Sequence, residues 1–306
     1  MSTEALFGQV TLIGIGLIGS SIARALKGVK LADRVVAADL SPGVIARVTE
    51  LGIADEATTD LAAAVRQADL VICCVPVGAM GLVAEVIGPH LKPGCIVSDV
   101  GSTKGSIVAQ MAPHMPAGVH LIPAHPVAGT EHSGPDSGFA ALFQDRWCII
   151  TPVPGSDQAA VDKLAAFWQA LGSKTEVMAP DHHDLVLAIT SHVPHLIAYN
   201  IVGTASDLEQ VTESEVIKFS AGGFRDFTRI AASDPTMWRD VFLHNKEAVL
   251  EVLGRFTEDL IALQRNIRWG QGDQLFDLFT RTRAIRRSII DQRQDTADPD
   301  FGRGRK

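Results

Sequence analysis

Along the first 175 residues, short apolar runs alternate with amphipathic stretches at helical spacing. QVTLIGIG (9–16), RVVAADL (34–40), LVICCVP (70–76), CIVSDVG (95–101), HLIPAHP (120–126) and WCIITP (147–152) read as strands. Stretches 17–30, 42–52, 79–91 and 158–171 read as helices between them. This alternation predicts an α/β fold, a doubly wound parallel sheet with helices on both faces. After about residue 178 the strand signal stops. Helical periodicity then runs over 181–206, 211–219, 235–267 and 272–290. Asp234-Pro235 marks one helix start, with Asp at the cap and Pro in the first turn. The expected division is an α/β domain over 1–176, an all-α domain over 177–292 and a polar, flexible tail over 293–306.

Composition narrows the function classes. A chain of 306 residues suits two domains of about 150 residues each. Hydrophobic residues make up 46% and charged residues 20%, which excludes a disordered chain. The net charge is −8, and no basic stripe precedes the terminal Arg303, Arg305 and Lys306, so no nucleic-acid partner is expected. Cys73, Cys74, Cys95 and Cys148 form no CxxC pair and follow no signal peptide, which fits a reduced cytoplasmic compartment. The apolar stretch 70–88 is interrupted by Pro76, Gly78, Gly81 and Glu85, so it reads as strand, turn and helix rather than a membrane span.

Gly14-x-Gly16-x-x-Gly19 falls where the first strand ends and the first helix begins. In a Rossmann-type domain the first glycine permits the tight turn and the second lets the backbone approach a pyrophosphate. The third allows helix to pack on strand, and the helix N-terminus attracts the phosphates. Asp39, at the end of the second strand, can accept a hydrogen bond from a ribose 2′-hydroxyl and would repel a 2′-phosphate, so NAD is expected over NADP. Its plain alternative is to cap the turn before Ser41-Pro42. Leu17, Ile18, Val75 and Pro76 are assigned to the same cofactor site.

Several polar residues occupy positions that a bare fold does not require. Ser98, Asp99, Ser102, Thr103 and Lys104 follow a strand and open a helix, which is the sheet edge where ligands of such folds bind. His125-Pro126 leads into a loop holding Glu131. His183-Asp184 and Ser191-His192-x-x-His195 lie on a helix, followed by Arg225-Asp226 to Arg229 and by Trp238. Each has a bland reading. Ser102 and Thr103 can be helix caps, Arg229 can pair with Asp226 on the surface, and Glu131 can be a solvated loop charge. His192 and His195 share a helix face, yet no carboxylate or third His stands at a spacing that completes a metal site; no metal is expected.

Taken together, GIGLIGSS (14–21), DVGSTK (99–104), HPVAGTEHSG (125–134), SHVPH (191–195) and GGFRDFTRIAASDPTMW (222–238) resemble the prephenate and arogenate dehydrogenases of tyrosine biosynthesis. The HPxAGTE and FRDFTRIAxSDPxMW stretches are the specific ones. The resemblance implies NAD-dependent oxidative decarboxylation of prephenate, arogenate, or both. By it, His125 accepts a hydrogen bond from the ring hydroxyl, and Ser102 bridges that hydroxyl and the nicotinamide end. Arg229 becomes the fork for a substrate carboxylate, and His192 and His195 join it in the substrate pocket. Glu131, His183, Asp226 and Trp238 become supporting or gating residues. The resemblance also implies a homodimer through the helical domain, with Val241, Phe242, Leu250, Val252, Leu253, Leu260 and Ile261 as interface candidates. With only a short lead before Gly14 and little after the last helix, the chain is expected to be monofunctional, and any inhibition by tyrosine to be competitive.

Two other readings stay open on the sequence. A two-domain hydroxyacid dehydrogenase would carry a catalytic Lys on the first long helix of the second domain, and no Lys lies between 175 and 217. An NAD-sensing protein without turnover would have no need of Ser102, His125 and Arg229.

Overall fold

The computed structural model describes residues 5–130, 132–209 and 221–291. Backbone contacts divide the chain into two compact units, up to Val249 and from Leu250 onward. In the first, six strands form one parallel sheet: β1 Phe7–Ile13, β2 Ala32–Ala38, β3 Glu56–Thr58, β4 Leu70–Cys73, β5 Ile96–Asp99 and β6 His120–Leu121, ordered β3-β2-β1-β4-β5-β6. β4 and β5 are buried at every position, as a sheet covered on both faces requires. In register, Ile13 and Asp99 lie on either side of Cys73.

Helices α1 Leu17–Gly28, α2 Pro42–Leu51, α3 Leu61–Val65, α4 Met80–Ile87 and α5 Gly105–Met111 connect these strands. One core, with Leu12, Ile22, Leu70, Phe167 and Trp168, fills one face of the sheet; another, with Ile13, Val71, Met80 and Ile107, fills the opposite face. The strand order reverses between β1 and β4, which opens a crevice at their carboxyl ends, and the Gly14 turn lies there. The expected doubly wound parallel sheet is present. β3 carried no sequence signal because it is only three residues long and partly exposed.

The expected strand 120–126 is divided. Ile122 N still donates to Val97 O (2.9 Å), but Pro123 has no N–H to offer, and its carbonyl accepts from Thr151 N (2.9 Å) instead. The chain thereby leaves the large sheet and enters a second one, of β7 Ala124–Pro126, β8 Trp147–Ile150 and β9 Lys174–Val177. There β7 runs antiparallel to β8, with His125 opposite Ile149. The 147–152 strand thus belongs to this smaller sheet. Helix α6 Gln158–Ala170 starts at Asp157, whose carboxylate accepts from Ala160 N (2.9 Å).

The helical half begins with α7 Pro180–Leu187, a π turn Ala188–His192 and α8 Val193–Glu209. Pro194 has no N–H for the preceding turn, and the helix widens just before it. Pro180–Leu208 is apolar and long enough to cross a membrane by length and composition. Inside it, however, His183, Asp184 and His192 are buried and bonded to neighbouring elements of the protein. Next come α9 Gly222–Thr228 and α10 Pro235–His244, where Asp234 accepts from Met237 N (2.8 Å) as its place before Pro235 predicts. The expected run 235–267 is broken at Asn245, which closes α10 before α11 Lys246–Arg268 begins. α12 Gly272–Asp291 completes the described chain. Val241, expected at a dimer interface, is buried within the first unit, and Phe242 packs on Trp238 at 5.6 Å between ring centroids. The predicted helix 211–219 and the tail 293–306 lie outside the described residues.

Candidate active site

The glycine turn has the form its spacing predicts. Gly14 adopts φ +89°, and a Cβ there would lie 2.9 Å from the Cys74 carbonyl and from Val75 Cγ1. A Cβ on Gly19 would lie 2.2 Å from Gly14 O, so α1 packs on the turn only because that side chain is missing. Gly16 differs: a Cβ there meets no protein atom within 4 Å. It precedes the first turn of α1, which has neither a side-chain cap nor an acidic residue. This is the open, electropositive backbone that a dinucleotide pyrophosphate requires. Leu17 and Ile18, both partly buried, pack their side chains against the adjacent core.

Asp39 accepts from Ser41 N and Ile15 N, each at 2.9 Å. The first bond is the turn cap of its plain reading. The second ties the carboxylate to the glycine turn. A carboxylate accepts about four hydrogen bonds, so two such bonds leave capacity for ribose hydroxyls.

Across the sheet edge, α5 is capped by a residue distant in sequence. Neither Ser102 nor Thr103 caps it: Thr103 Oγ1 pairs with Ser106 Oγ (3.0 Å), and the Asp184 carboxylate, from α7, accepts from Lys104 N (2.7 Å) and Gly105 N (2.9 Å). Asp184 also bonds His183 Nδ1 (2.9 Å), and His183 Nε2 bonds His125 Nδ1 (2.9 Å). Below them the side chains of Lys104 and Asp99, both 0% exposed, form an ion pair. Lys104 Nζ also donates to Ala124 O (2.6 Å), and Asp99 Oδ1 accepts from Ala124 N (3.3 Å). The residue before His125 is thus held at both its N–H and its carbonyl by one buried pair.

His125 titrates well below its ordinary range, first because it is buried and then because His183, Lys104 and His192 oppose a further positive charge. Burial likewise lowers His183, against the attraction of Asp184. It also sets His192 at about 4. All three imidazoles are neutral at pH 7. His192 Nδ1 lies 3.0 Å from Asn245 Nδ2, and the backbone of Ser102 is beside it.

A third group forms around Trp238. His195 stacks on the indole at 3.6 Å, His192 meets its edge at 6.1 Å, and the Arg229 charge helps depress the His195 pKa after burial. The turn carrying Arg229 is fixed to α8 by Tyr199 Oη donating to Ser233 O (2.7 Å). Arg229 and Asp226 are both exposed. Glu131 lies outside the described residues.

His183 was expected to support or gate the site; it is an internal link bonded to His125. Sequence reasoning named Asp184 only as the neighbour of His183 and missed Asn245 altogether. The one available signal for Asn245 was a polar residue interrupting an apolar helical repeat. Among the described residues, no three metal-ligating side chains form a group that could hold an ion.

A dinucleotide-binding parallel sheet covered on both faces, followed by a histidine-rich helical half, defines the class, and comparison with known proteins defines the family. Residues 22–177 match the family model for the prephenate dehydrogenase nucleotide-binding domain, and 179–281 that for the prephenate dehydrogenase dimerization domain. The chain belongs to the prephenate dehydrogenase family. It is 42% identical to a cyclohexadienyl dehydrogenase of Zymomonas mobilis, over 92% of this chain and 96% of that one. It is 31% identical to a prephenate dehydrogenase of Bacillus subtilis, over 95% of this chain and 78% of the other. Among solved structures, prephenate dehydrogenase from Aquifex aeolicus in complex with hydroxyphenyl propionate and NAD+ superposes with a TM-score of 0.87 at 31% identity, covering 94% of this chain and all of that one.

Proposed function

We propose that this chain is an NAD-dependent dehydrogenase that converts prephenate to 4-hydroxyphenylpyruvate, with arogenate, giving tyrosine, as the second candidate substrate. The observation that carries the reading is His125, a buried neutral imidazole at the sheet edge whose Nδ1 is taken by His183 while Nε2 is left for a ligand. The glycine turn and α1 hold the cofactor pyrophosphate, Val75 and Pro76 border it, and Asp39 takes the ribose hydroxyls. When bound, NAD+ supplies the acceptor for the hydride that leaves the hydroxyl-bearing ring carbon.

His125 accepts the hydrogen bond of that hydroxyl and stabilises it as positive charge grows on the carbon. Loss of the ring carboxylate as CO2 returns an electron pair to the ring, and the hydroxyl proton stays with the phenol oxygen. Aromatisation drives the sequence, so the protein contributes mainly positioning. Ser102 bridges the hydroxyl and the nicotinamide end. Arg229 binds a substrate carboxylate with its guanidinium fork, and His192 and His195 line the ring pocket. Trp238 backs His195, and Glu131 and Asp226 control access.

The functional division is an NAD-binding part over 1–176 and a substrate and dimerisation part over 177–292. We propose a cytoplasmic homodimer, since α11, α12 and the turn between them expose Leu250, Leu260, Ile261, Trp269, Phe276 and Phe279, apolar surface that a partner would cover. The test is the initial rate of NADH formation with prephenate and arogenate side by side. A rate with either supports the reading, and the ratio of kcat/KM values ranks the substrates. No rate with both, from folded protein that binds NAD+, overturns it.

A further inference from the structure

Asp184 is the common origin of two hydrogen-bond chains that end at different pocket histidines. Its carboxylate can only accept, and it already accepts from Lys104 N and Gly105 N. Its third partner, His183 Nδ1, must therefore be a donor. His183 is neutral, so its Nε2 is an acceptor. His125 Nδ1, 2.9 Å away, must then carry the proton, which leaves the lone pair of His125 on Nε2.

The second chain starts from the Asp184 backbone. Its carbonyl accepts from Asn245 Nδ2 (2.8 Å), and this fixes which way the Asn245 amide points, since two oxygens would repel there. The same nitrogen lies 3.0 Å from His192 Nδ1, which must accept. A neutral His192 therefore carries its proton on Nε2. That atom is buried and makes no hydrogen bond of normal geometry, but the Ser102 backbone lies beside it and favours a proton on the ring, so the donor is directed at the Ser102 turn.

We infer that Asp184 and Asn245 are positioning residues that lock His125 and His192 in opposite tautomers, so that bound reactants meet an acceptor at His125 Nε2 while His192 Nε2 holds its donor against the Ser102 turn. The inference rests on the dehydrogenase reading above for its catalytic meaning, though not for the tautomers themselves. Each histidine serves one role because the group behind it permits only one. One carboxylate oxygen, Oδ1, accepts from both Lys104 N and His183 Nδ1, while Oδ2 accepts from Gly105 N. Asp184→Ala removes the acceptor that makes His183 Nδ1 a donor, so both rings of the first chain are released to their other tautomers and His125 can hold a proton on the nitrogen that should accept. In Asn245→Asp, an acceptor would replace the donor facing His192, moving its proton to Nδ1.

Nitrogen-15 spectra of histidine-labelled full-length protein, assigned through His125→Gln and His192→Gln, read these tautomers directly at pH 7.5. The expected wild-type result is an unprotonated Nε2 on His125 and a protonated Nε2 on His192. The opposite pattern at either ring overturns the inference whether or not the protein turns over prephenate. Asp184→Ala should mix the His125 pattern and lower kcat by on the order of 10²-fold, with KM for NAD+ within about threefold. A folded Asp184→Ala protein with unchanged kcat and unchanged His125 signals also overturns it. Correct wild-type tautomers without any turnover would sustain the two chains and remove the dehydrogenase reading instead.

Discussion

The imidazole of His195 lies flat on the indole of Trp238, with ring centroids 3.6 Å apart and planes 22° from parallel. His195 Nδ1 also bonds Ser191 O at 2.8 Å, in the π turn, so the ring is fixed by its face and by one edge. Removing the indole should release His195 and leave a void, because Trp238 is only 6% exposed. Trp238→Ala is expected to lose about 3–5 kcal/mol of stability. Trp238→Phe keeps an aromatic face and should cost roughly 1–2 kcal/mol while raising the substrate KM by about threefold to tenfold. Urea unfolding and steady-state kinetics check both. A Trp238→Phe protein with an unchanged KM would mean that the stack does not serve the substrate.

The glycine turn makes a sharper prediction because its glycines are small for different reasons. At Gly19 the missing side chain is required by the protein, since a Cβ would collide with Gly14 O. At Gly16 nothing in the protein needs the space. Gly16→Ala should therefore keep the wild-type Tm and weaken NAD+ binding by about tenfold or more, near 1.4 kcal/mol. Gly19→Ala should lower both Tm and affinity. Differential scanning fluorimetry with an NAD+ titration separates them, and equal Tm losses in the two variants would contradict the cradle.

The elements that the sequence reveals are those whose signals are local. Buried parallel strands show as unbroken apolar runs, and Gly14, Gly16 and Gly19 announce a turn at fixed spacing. Asp234-Pro235 announces a cap. His125 and His192 were visible as polar residues without a structural duty. What stayed hidden depends on partners far apart in the chain. Asp184 caps α5 across about 80 residues, and Asn245 reaches back 53 residues to His192. The division at Pro123 was missed because a strand signal does not say which sheet the strand joins. The bland cap reading of Ser102 failed for the same reason, as the cap comes from another helix.

Lys104 and Asp99 offer a test of how His125 is placed. Both side chains are fully buried, and together they grip the Ala124 peptide. Burial lowers the Lys104 pKa and raises that of Asp99, while each partner's charge opposes the shift. Lys104→Met would leave Asp99 buried without its counter-charge, at a cost of about 3–5 kcal/mol. It should also loosen Ala124 and so reduce kcat more than it raises KM for NAD+. Chemical denaturation and kinetics of the folded variant measure the two effects. A loss below about 1 kcal/mol would show that the pair contributes little to the core.

Acid should weaken the fold and the activity with the same sign. In the unfolded chain a histidine titrates near 6.5. In the folded chain burial holds His192 at about 4 and His125 well below its ordinary range. Between these limits the unfolded state binds protons that the folded state refuses, so stability rises with pH there. The contribution of His192 is complete above pH 6.5 and falls away as the pH drops towards 4, by a total of roughly 3 kcal/mol. His125 and His183 act in the same direction. The urea midpoint should thus be lower at pH 5 than at pH 7.5, and His192→Gln should shrink that difference. Since His125 must be unprotonated to accept the hydroxyl hydrogen bond, kcat/KM should stay level through pH 7 and fall only on the acid side of 6.5. An acid limb centred at 6.5 or above, assigned to His125 by its loss in His125→Asn, would show that this imidazole is not held neutral by burial.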